Sequence, residues 1–502
     1  MRPGFLNRQY RYKNQTVIAT LMMLSILISG CTTNPATGNQ SFTGFMSPEK
    51  EALIGAAEHP KILEQMGGQY SDQKLSNYIT KIGKKLAAKS EKPNIPYQFT
   101  VLNNDSVNAF ALPGGYVYIT RGLLALAENE AEIAGVLGHE IGHIVARHTA
   151  ERYSASVAAN LGLTVLGVIG SAYGVPANIG QAASVGAEAA LKGYSRDQEL
   201  EADMLGVRYL ARSGYAPTSV TTFFRKMAAN TQLTNLKAGQ KKPTQSDIMA
   251  THPRTEQRIL QAIKLARAVA VKNPTIGRVI YLQHINGMIY GDDPSQGIRR
   301  GRQFIHPKLG IQFSVPPGFI MQNSKTRVIA RGSNNKVIMF DKMDATKARQ
   351  TQKLGPYIKN IWGRKLPLGA VENIQINSME AATAAGQTDS NQGRRDIRLL
   401  VIRERPSRIY RFAFDVPTAE AGRMGVALRR TSYSFKRLTT KEIKTARALT
   451  IKVVTVKPGD TAIKLARAMP VETYWLELFR VLNGLNEHSI LKPGQKIKVV
   501  AG

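Results

Sequence analysis

Apolar positions along this chain fall into three rhythms. Between residues 47 and 275 they recur mostly at three- and four-residue intervals, the spacing of one helical face. Ser47-Pro48-Glu49-Lys50 reads as a helix start, and residues 71–90 continue as an amphipathic helix. Residues 131–145 (AEIAGVLGHEIGHIV) are apolar at 133, 134, 136, 137, 141, 144 and 145, again a helical pattern. Residues 97–102 read as a strand, and 108–120 as two short strands about the Pro113-Gly114-Gly115 turn. From 303 to 440 the pattern alternates. Strands are expected at 310–315, 326–330, 336–340, 396–402 and 408–414, with helix-like stretches at 345–363 and 418–433. The tail repeats neither pattern. It predicts a strand at 453–457 and a helix opening at Pro458-Gly459-Asp460-Thr461 with Asp460 as cap. A helix at 476–482, the Asn483-Gly484 turn and a final turn and strand at 491–499 follow.

The predicted architecture is therefore multidomain. A mainly helical α+β domain spans 47–275, a linker 276–302, a basic α+β domain with a twisted antiparallel sheet 303–440, and a small βααβ domain 451–501. The chain of 502 residues, 43% hydrophobic, is long enough to fill several cores. Residues 154–187 carry no charge and are broken by Gly167, Gly170, Gly174 and Pro176. They read as a buried or lid-like helical pair rather than a clean membrane span. Phe110, Ala111 and Leu112 precede a proline, which suits an edge strand able to bind an extended peptide by strand addition.

Residues 1–30 look like an export signal. Arg2, Arg8, Arg11 and Lys13 precede an apolar run from 17 to 28 that is short for a membrane span. The run ends Ser29-Gly30-Cys31, which resembles the lipobox of a bacterial lipoprotein, with Cys31 as the lipidated residue. It is the only cysteine, so no intrachain disulfide is possible. Thr32 and Thr33 follow instead of an acidic retention signal, which favours the outer membrane and a periplasm-facing protein. Residues 31–46 are expected to be a tether.

Charge sharpens this picture. The chain carries +33, of which residues 1–250 hold +6 and residues 251–502 hold +27. Inside a cell such a field would draw nucleic acid. An exported chain meets lipid headgroups and other anionic envelope surfaces instead, so no nucleic-acid partner is expected. Arginines 394, 395, 398, 403, 405, 408, 411, 429 and 430 concentrate the charge in the middle domain, where no catalytic constellation is visible.

Catalytic chemistry is written at His139-Glu140-Ile141-Gly142-His143. On a helix His139 and His143 lie on one face and can address one metal ion, while Glu140 is placed to act on a water. Glu199-Leu200-Glu201-Ala202-Asp203 supplies carboxylates for a third ligand. His148 lies about 140° around a helix from His143, which reads as a surface or second-layer histidine.

These motifs, with the Asn108-Ala109 and Pro113-Gly114-Gly115 hairpin and Ser195-Arg196-x-x-Glu199-x-x-Ala202-Asp203, resemble the membrane-linked metallopeptidases of the CAAX prenyl protease family. That family includes heat-shock and quality-control proteases, and the likeness is greatest to its periplasmic lipoprotein branch over roughly residues 45–270. The resemblance implies a gluzincin-type fold and one zinc ion per chain on His139, His143 and Glu199. It also implies Glu140 as the base that takes a proton from water and returns it to the leaving amine. Glu201 lies about 200° around a helix from Glu199, whereas Asp203 shares its face and could orient a ligand imidazole. Arg196 is a candidate partner for Asp203 or another acid. His252 matches the family's Ser/Thr-His-Pro segment and is expected near the zinc, either as an oxyanion donor or as a displaceable fourth ligand.

The tail resembles a LysM module, which binds N-acetylglucosamine polymers, with Gly459, Asp460 and Thr461 as candidate glycan contacts. The combined expectation is an envelope zinc metalloendopeptidase that cleaves misfolded or stalled envelope proteins while held near peptidoglycan. Two alternatives share these residues: a peptidoglycan peptide hydrolase, and an assembly chaperone with a closed metal site.

Overall fold

The computed structural model describes residues 31–157, 193–237, 252, 256–351, 353–391 and 393–502. The readings of 1–30 and of nearly all of 154–187 lie outside them. Among the described residues no helix is long and apolar enough to cross a membrane.

The chain opens with a two-stranded hairpin, β1 (Cys31–Thr33) and β2 (Gln40–Phe42). The segment expected to be a tether is instead docked: Asn34, Thr43 and Met46 are buried. Helix α1 (Pro48–Gln65) is capped by Ser47 and helix α2 (Gln73–Ala87) by Asp72, each side chain accepting from a first-turn backbone N–H. Strands β3 (Gln98–Leu102), β4 (Ala109–Leu112) and β5 (Tyr116–Thr120) form a sheet in the order β3-β5-β4. β4 is an edge, antiparallel to β5, and the turn between them uses Gly114 and Gly115 at φ 81° and 98°. Then follow α3 (Arg121–Leu126), α4 (Glu130–Val145), α5 (Arg196–Arg212), α6 (Ser219–Lys237) and α7 (Glu256–Ala268).

Helices α4 and α5 pack almost backbone to backbone. A Cβ on Gly142 would sit 3.1 Å from the carbonyl oxygen of Ala202, one on Gly138 3.2 Å from that of Gly206, and one on Gly206 3.0 Å from the amide nitrogen of His139. The missing side chains let the helix bearing His139 and His143 approach the helix bearing Glu199 and Asp203.

The segment 276–302 is not a linker. It holds α8 (Arg278–Ile285), β6 (Ile289–Tyr290) and β7 (Ile298–Arg300). Tyr281, Leu282 and Ile285 are fully buried in the core of the helical domain. Composition around 291–296 marks turns, but the flanking apolar residues find partners only in three dimensions.

The basic domain runs through β8 (Gln303–His306), β9 (Ile311–Ser314), β10 (Ile320–Asn323), β11 (Arg327–Gly332) and β12 (Lys336–Lys342). It continues with short helices α9 (Ala345–Gln350) and α10 (Leu354–Tyr357), then β13 (Leu368–Ile376), β14 (Met379–Ser390), β15 (Gly393–Arg405) and β16 (Arg408–Pro417). Helix α11 (Thr418–Ser434), β17 (Lys436–Arg437) and α12 (Thr440–Thr445) close it. A seven-stranded antiparallel sheet, order β10-β11-β12-β16-β15-β14-β13, lies with a four-stranded sheet, order β17-β9-β8-β7. Strand β14 escapes sequence reading because its run is rich in alanine, a poor strand former recruited here by its neighbours. Much of the arginine run is compensated internally: Arg395 pairs with Asp415, Arg403 with Glu380, Arg405 and Arg408 with Glu404, and Arg411 with Asp341.

The tail is the expected βααβ unit: β18 (Leu449–Thr455), α13 (Ala462–Arg467), α14 (Trp475–Leu482) and β19 (Lys496–Ala501). The cap of α13 is Thr461, not Asp460, whose carboxylate accepts from the Lys457 amide instead. This unit does not stand apart. β6 adds to the edge of β18, and the buried Lys498 Nζ donates to the carbonyls of Ala125 (2.7 Å) and Ala127 (2.5 Å) at the end of α3. Burial and the nearby Lys226 push the Lys498 pKa well down, so these carbonyls hold it as a hydrogen-bond donor.

The α4–α5 contact makes the first prediction. Gly206→Val should lower stability by about 1–3 kcal/mol through overpacking against backbone, read as a shifted urea midpoint. An unchanged midpoint would mean the helices have room to separate.

Candidate metal centre

Helix α4 begins where Asn129 accepts from the Glu132 amide, and it is buried along nearly its whole length. It ends at Val145, and Arg147 then turns the chain at φ 59°, a left-handed conformation uncommon for a residue with a side chain. The turn is held by Glu51, the Thr43 hydroxyl and the Met46 carbonyl, all bonded to the Arg147 guanidinium. Helix α5 starts with a capping box at Ser195 and Gln198. Its first turns put Glu199 and Asp203 against α4.

Four side chains converge. Ligand-capable atoms of His139, His143, Glu199 and His252 all lie within 4.8 Å of one another. The Nε2 atoms of His139 and His143 are 3.0 Å apart, and the Glu199 carboxylate oxygens lie 3.5 Å and 3.6 Å from them. His139 Nδ1–H donates to Asp203 Oδ1 at 2.9 Å, which in the neutral ring puts the lone pair on Nε2. Glu140 is buried beside the group. Its Oε1 lies 3.5 Å from His252 Nε2, and its Oε2 has no hydrogen-bond partner among the described residues.

These donors fit a cation. Acceptors from two imidazoles and a carboxylate, packed this tightly and away from water, are costly unless positive charge sits among them. The electrostatics agree. Burial opposes charging of His139, but Asp203 and Glu199 outweigh it and raise its pKa to about 10, so without a metal the ring itself carries the positive charge, which a bound cation would replace. Burial and the neighbouring His139 and His148 push His143 well down, so it is a neutral imidazole, the form that ligates a metal. Burial would raise Glu199, yet His252 and His139 hold it below the usual carboxylate range. Burial raises Glu140, the direction useful to a group that must both take and give a proton.

A guanidinium clamps the carboxylates from behind. Arg258 donates to Asp203 Oδ2 at 2.7 Å and Oδ1 at 2.8 Å, and its Nη1 lies 2.6 Å from Glu199 Oε2. The expected candidate, Arg196, is exposed on the first turn of α5. Arg258 follows His252 by six residues, but nothing in its spacing from Glu199 or Asp203 marks it. His148 is not on the surface: it is 1% exposed, with Nδ1 2.8 Å from His143 Nδ1 and Nε2 3.0 Å from Glu201 Oε2. Of the two expected places, the surface and the second layer, it takes the second, because α4 stops at Val145 and the chain turns at Arg147 before it. Tyr194, also missed, stacks on His143 at 3.7 Å and is covered by Arg152.

Two recesses flank the centre. One is apolar, lined by Val136, Val207, Val220, Phe223, Phe224 and Met227 beside His139, Glu140 and His252. The other lies between Ala111 and Leu112 of β4 and His143 and Tyr194. Phe110, Ala111 and Leu112 are buried, on the strand that forms the edge of its sheet. Gly459, Asp460 and Thr461 lie far along the chain in the tail and take no part in this cluster; Cys31 is exposed.

Residues 73–266 match the model of peptidase family M48, and residues 454–500 match that of the LysM domain. The chain is thus similar to M48 peptidases over 73–266 and, past the basic sheet domain, to LysM domains over 454–500. The beta-barrel assembly-enhancing protease of Yersinia pestis is 32% identical over 234 residues, 45% of this chain and 46% of that protein. The protein of that name in Escherichia coli K12 is 32% identical over 198 residues, 38% of this chain and 39% of that protein. Mitochondrial metalloendopeptidase OMA1 of Arabidopsis thaliana is 32% identical over 187 residues, 37% and 35% of the two chains. The chain spans less than half the length of these relatives.

Removing the clamp should be severe. Arg258→Leu leaves Asp203 and Glu199 buried without their guanidinium and should destabilise the metal-free protein by about 3–5 kcal/mol in chemical denaturation. A change below about 1 kcal/mol would show that the clamp contributes little.

Proposed function

We propose that this chain is a gluzincin-type zinc metalloendopeptidase of the bacterial cell envelope that hydrolyses peptide bonds in misfolded or stalled envelope proteins. The observation that carries the reading is the convergence of His139, His143 and Glu199 with Glu140 alongside, inside an M48 domain. The names of the relatives support protein substrates.

His139, His143 and Glu199 would hold one zinc ion, which supplies Lewis acidity toward a carbonyl and lowers the pKa of water. Asp203 fixes the His139 ring through Nδ1. Glu140 takes a proton from the attacking water and gives it to the leaving amine nitrogen. The apolar recess along Phe223, Phe224 and Met227 receives an apolar side chain of the substrate, and the backbone edge at Phe110, Ala111 and Leu112 aligns the peptide by strand addition. His252, with Nδ1 2.9 Å from Glu199 Oε1 and 3.3 Å from His139 Nε2, would serve as a displaceable fourth ligand that keeps the resting site closed.

The leader-like residues 1–30 and the exposed Cys31 support a lipid anchor, with the protein facing the periplasm from the outer membrane. The LysM match supports retention near peptidoglycan through Gly459, Asp460 and Thr461, and the excess of basic residues in 303–440 would favour anionic envelope surfaces.

Glu140→Gln should keep one equivalent of zinc and lose cleavage of an unfolded protein by at least about 100-fold. Normal turnover in a clean preparation would remove Glu140 from its role. His252→Ala should raise peptidase activity while leaving zinc content unchanged; activity that neither rises nor falls would reject the gating assignment.

A further inference from the structure

Outside the proposed ligand set the structure contains a polar chain that the reaction does not use directly. It starts in the loop between β1 and β2. Asn34 Nδ2 (2.8 Å), Asn39 Nδ2 (3.0 Å) and the Thr37 hydroxyl all donate to Glu201 Oε1. The other oxygen, Oε2, meets His148 Nε2 at 3.0 Å, and His148 Nδ1 meets His143 Nδ1 at 2.8 Å.

With both imidazoles neutral, the form His143 needs to ligate a metal, only one proton order satisfies every link. Glu201 Oε2 is an acceptor, so His148 carries its proton on Nε2 and its Nδ1 is a lone pair. His143 must then donate from Nδ1, which leaves His143 Nε2 as a lone pair directed at His139 Nε2 and Glu199. The opposite order would place an N–H at the metal position.

We infer that Glu201 and His148 are positioning residues that fix the tautomer and orientation of His143 for metal binding, and that the hairpin loop following Cys31 holds this relay in place. The inference rests on the reading of His139, His143 and Glu199 as a metal site. Three further contacts seat the same N-terminal strap. Arg208 donates to the Ala36 carbonyl at 2.8 Å, and Arg147, whose left-handed turn delivers His148, donates to Thr43 Oγ1 at 3.1 Å and to the Met46 carbonyl at 2.5 Å. Residues 32–46 are thereby part of the centre's support rather than a spacer.

The relay has a chemical signature that packing does not. In His148→Gln the side-chain oxygen can accept from His143 Nδ1–H while the amide donates to Glu201, reproducing both bonds. His148→Leu fills space and does neither. Glu201→Gln cannot satisfy three strap donors and His148 at once.

The test is zinc affinity of the full chain, measured by chelator competition. His148→Leu and Glu201→Gln should weaken it about 10–100-fold, as should the combined Asn34→Ala, Thr37→Val, Asn39→Ala variant, whereas His148→Gln should stay within about threefold of the parent, a margin well inside that effect. A His148→Leu affinity within threefold of the parent, or a His148→Gln loss equal to that of His148→Leu, overturns the relay. Should a variant fail to fold, nitrogen-15 histidine spectra of the metal-free parent decide: Nδ1–H on His143 supports it and Nε2–H overturns it. A parent chain that binds no zinc overturns the metal reading itself, and the relay with it.

Discussion

The site depends on how closely two helices can approach. Gly138 and Gly142 on α4 face Gly206 and Ala202 on α5 with almost no side chain between them. Ordinary helix pairs keep their axes about 8–10 Å apart because side chains separate them. Here the separation is small enough for two histidines of one helix and two carboxylates of the other to share one buried slot. The same glycines lower the intrinsic helix propensity of α4 and α5, so tertiary packing has to hold both helices in place.

Burial of that much polarity sets the rest of the local design. Asp203 and Glu199 are nearly free of solvent, and each is answered by a cationic or donor group: Arg258 bridges both, and His139 donates to Asp203. The partners of His143 extend outward through His148 to Glu201 and then to amide and hydroxyl groups of the N-terminal hairpin. The chain passes from the buried His143 and His148 to the partly exposed Glu201. A buried network of this kind stabilises only when each member is satisfied, which explains why segments as distant as 34–39, 148, 199–203 and 258 meet there.

The other domains are fastened to this framework. Helix α8 fills the core between the helical domain and the tail, β6 extends the LysM sheet, and Lys498 reaches the end of α3. Arg299 on β7 pairs with Asp292 and Asp105, tying the first strands of the basic domain to the peptidase surface. A LysM domain held in this way fixes the distance between anything it binds and the site at His139 and His143. Charge in the basic domain is lower in effect than its arginine count, because Arg395, Arg403, Arg405, Arg408 and Arg411 each face a carboxylate.

Local information was enough for the elements with strong periodicity or a spacing constraint. The α4 pattern, the caps at Ser47 and the Pro-Gly-Gly turn are dictated by neighbours within a few residues, and His139, Glu140 and His143 by one helical turn. The segment from Glu199 to Asp203 read as a source of carboxylates, but the choice of Glu199 and the placing of His252 came through the family resemblance, since their partners lie 60 to 113 positions away. Tertiary structure alone decided the rest. Whether 276–302 was linker or core depended on which apolar surface it met, and the arginines were free or paired according to strand register. His148 and Glu201 became neighbours because Arg147 turned left-handed against residues of the N-terminal strap. Long-range pairing of polar groups leaves no periodic trace in a sequence, because its energy comes from excluding water around contacts that chain order does not bring together.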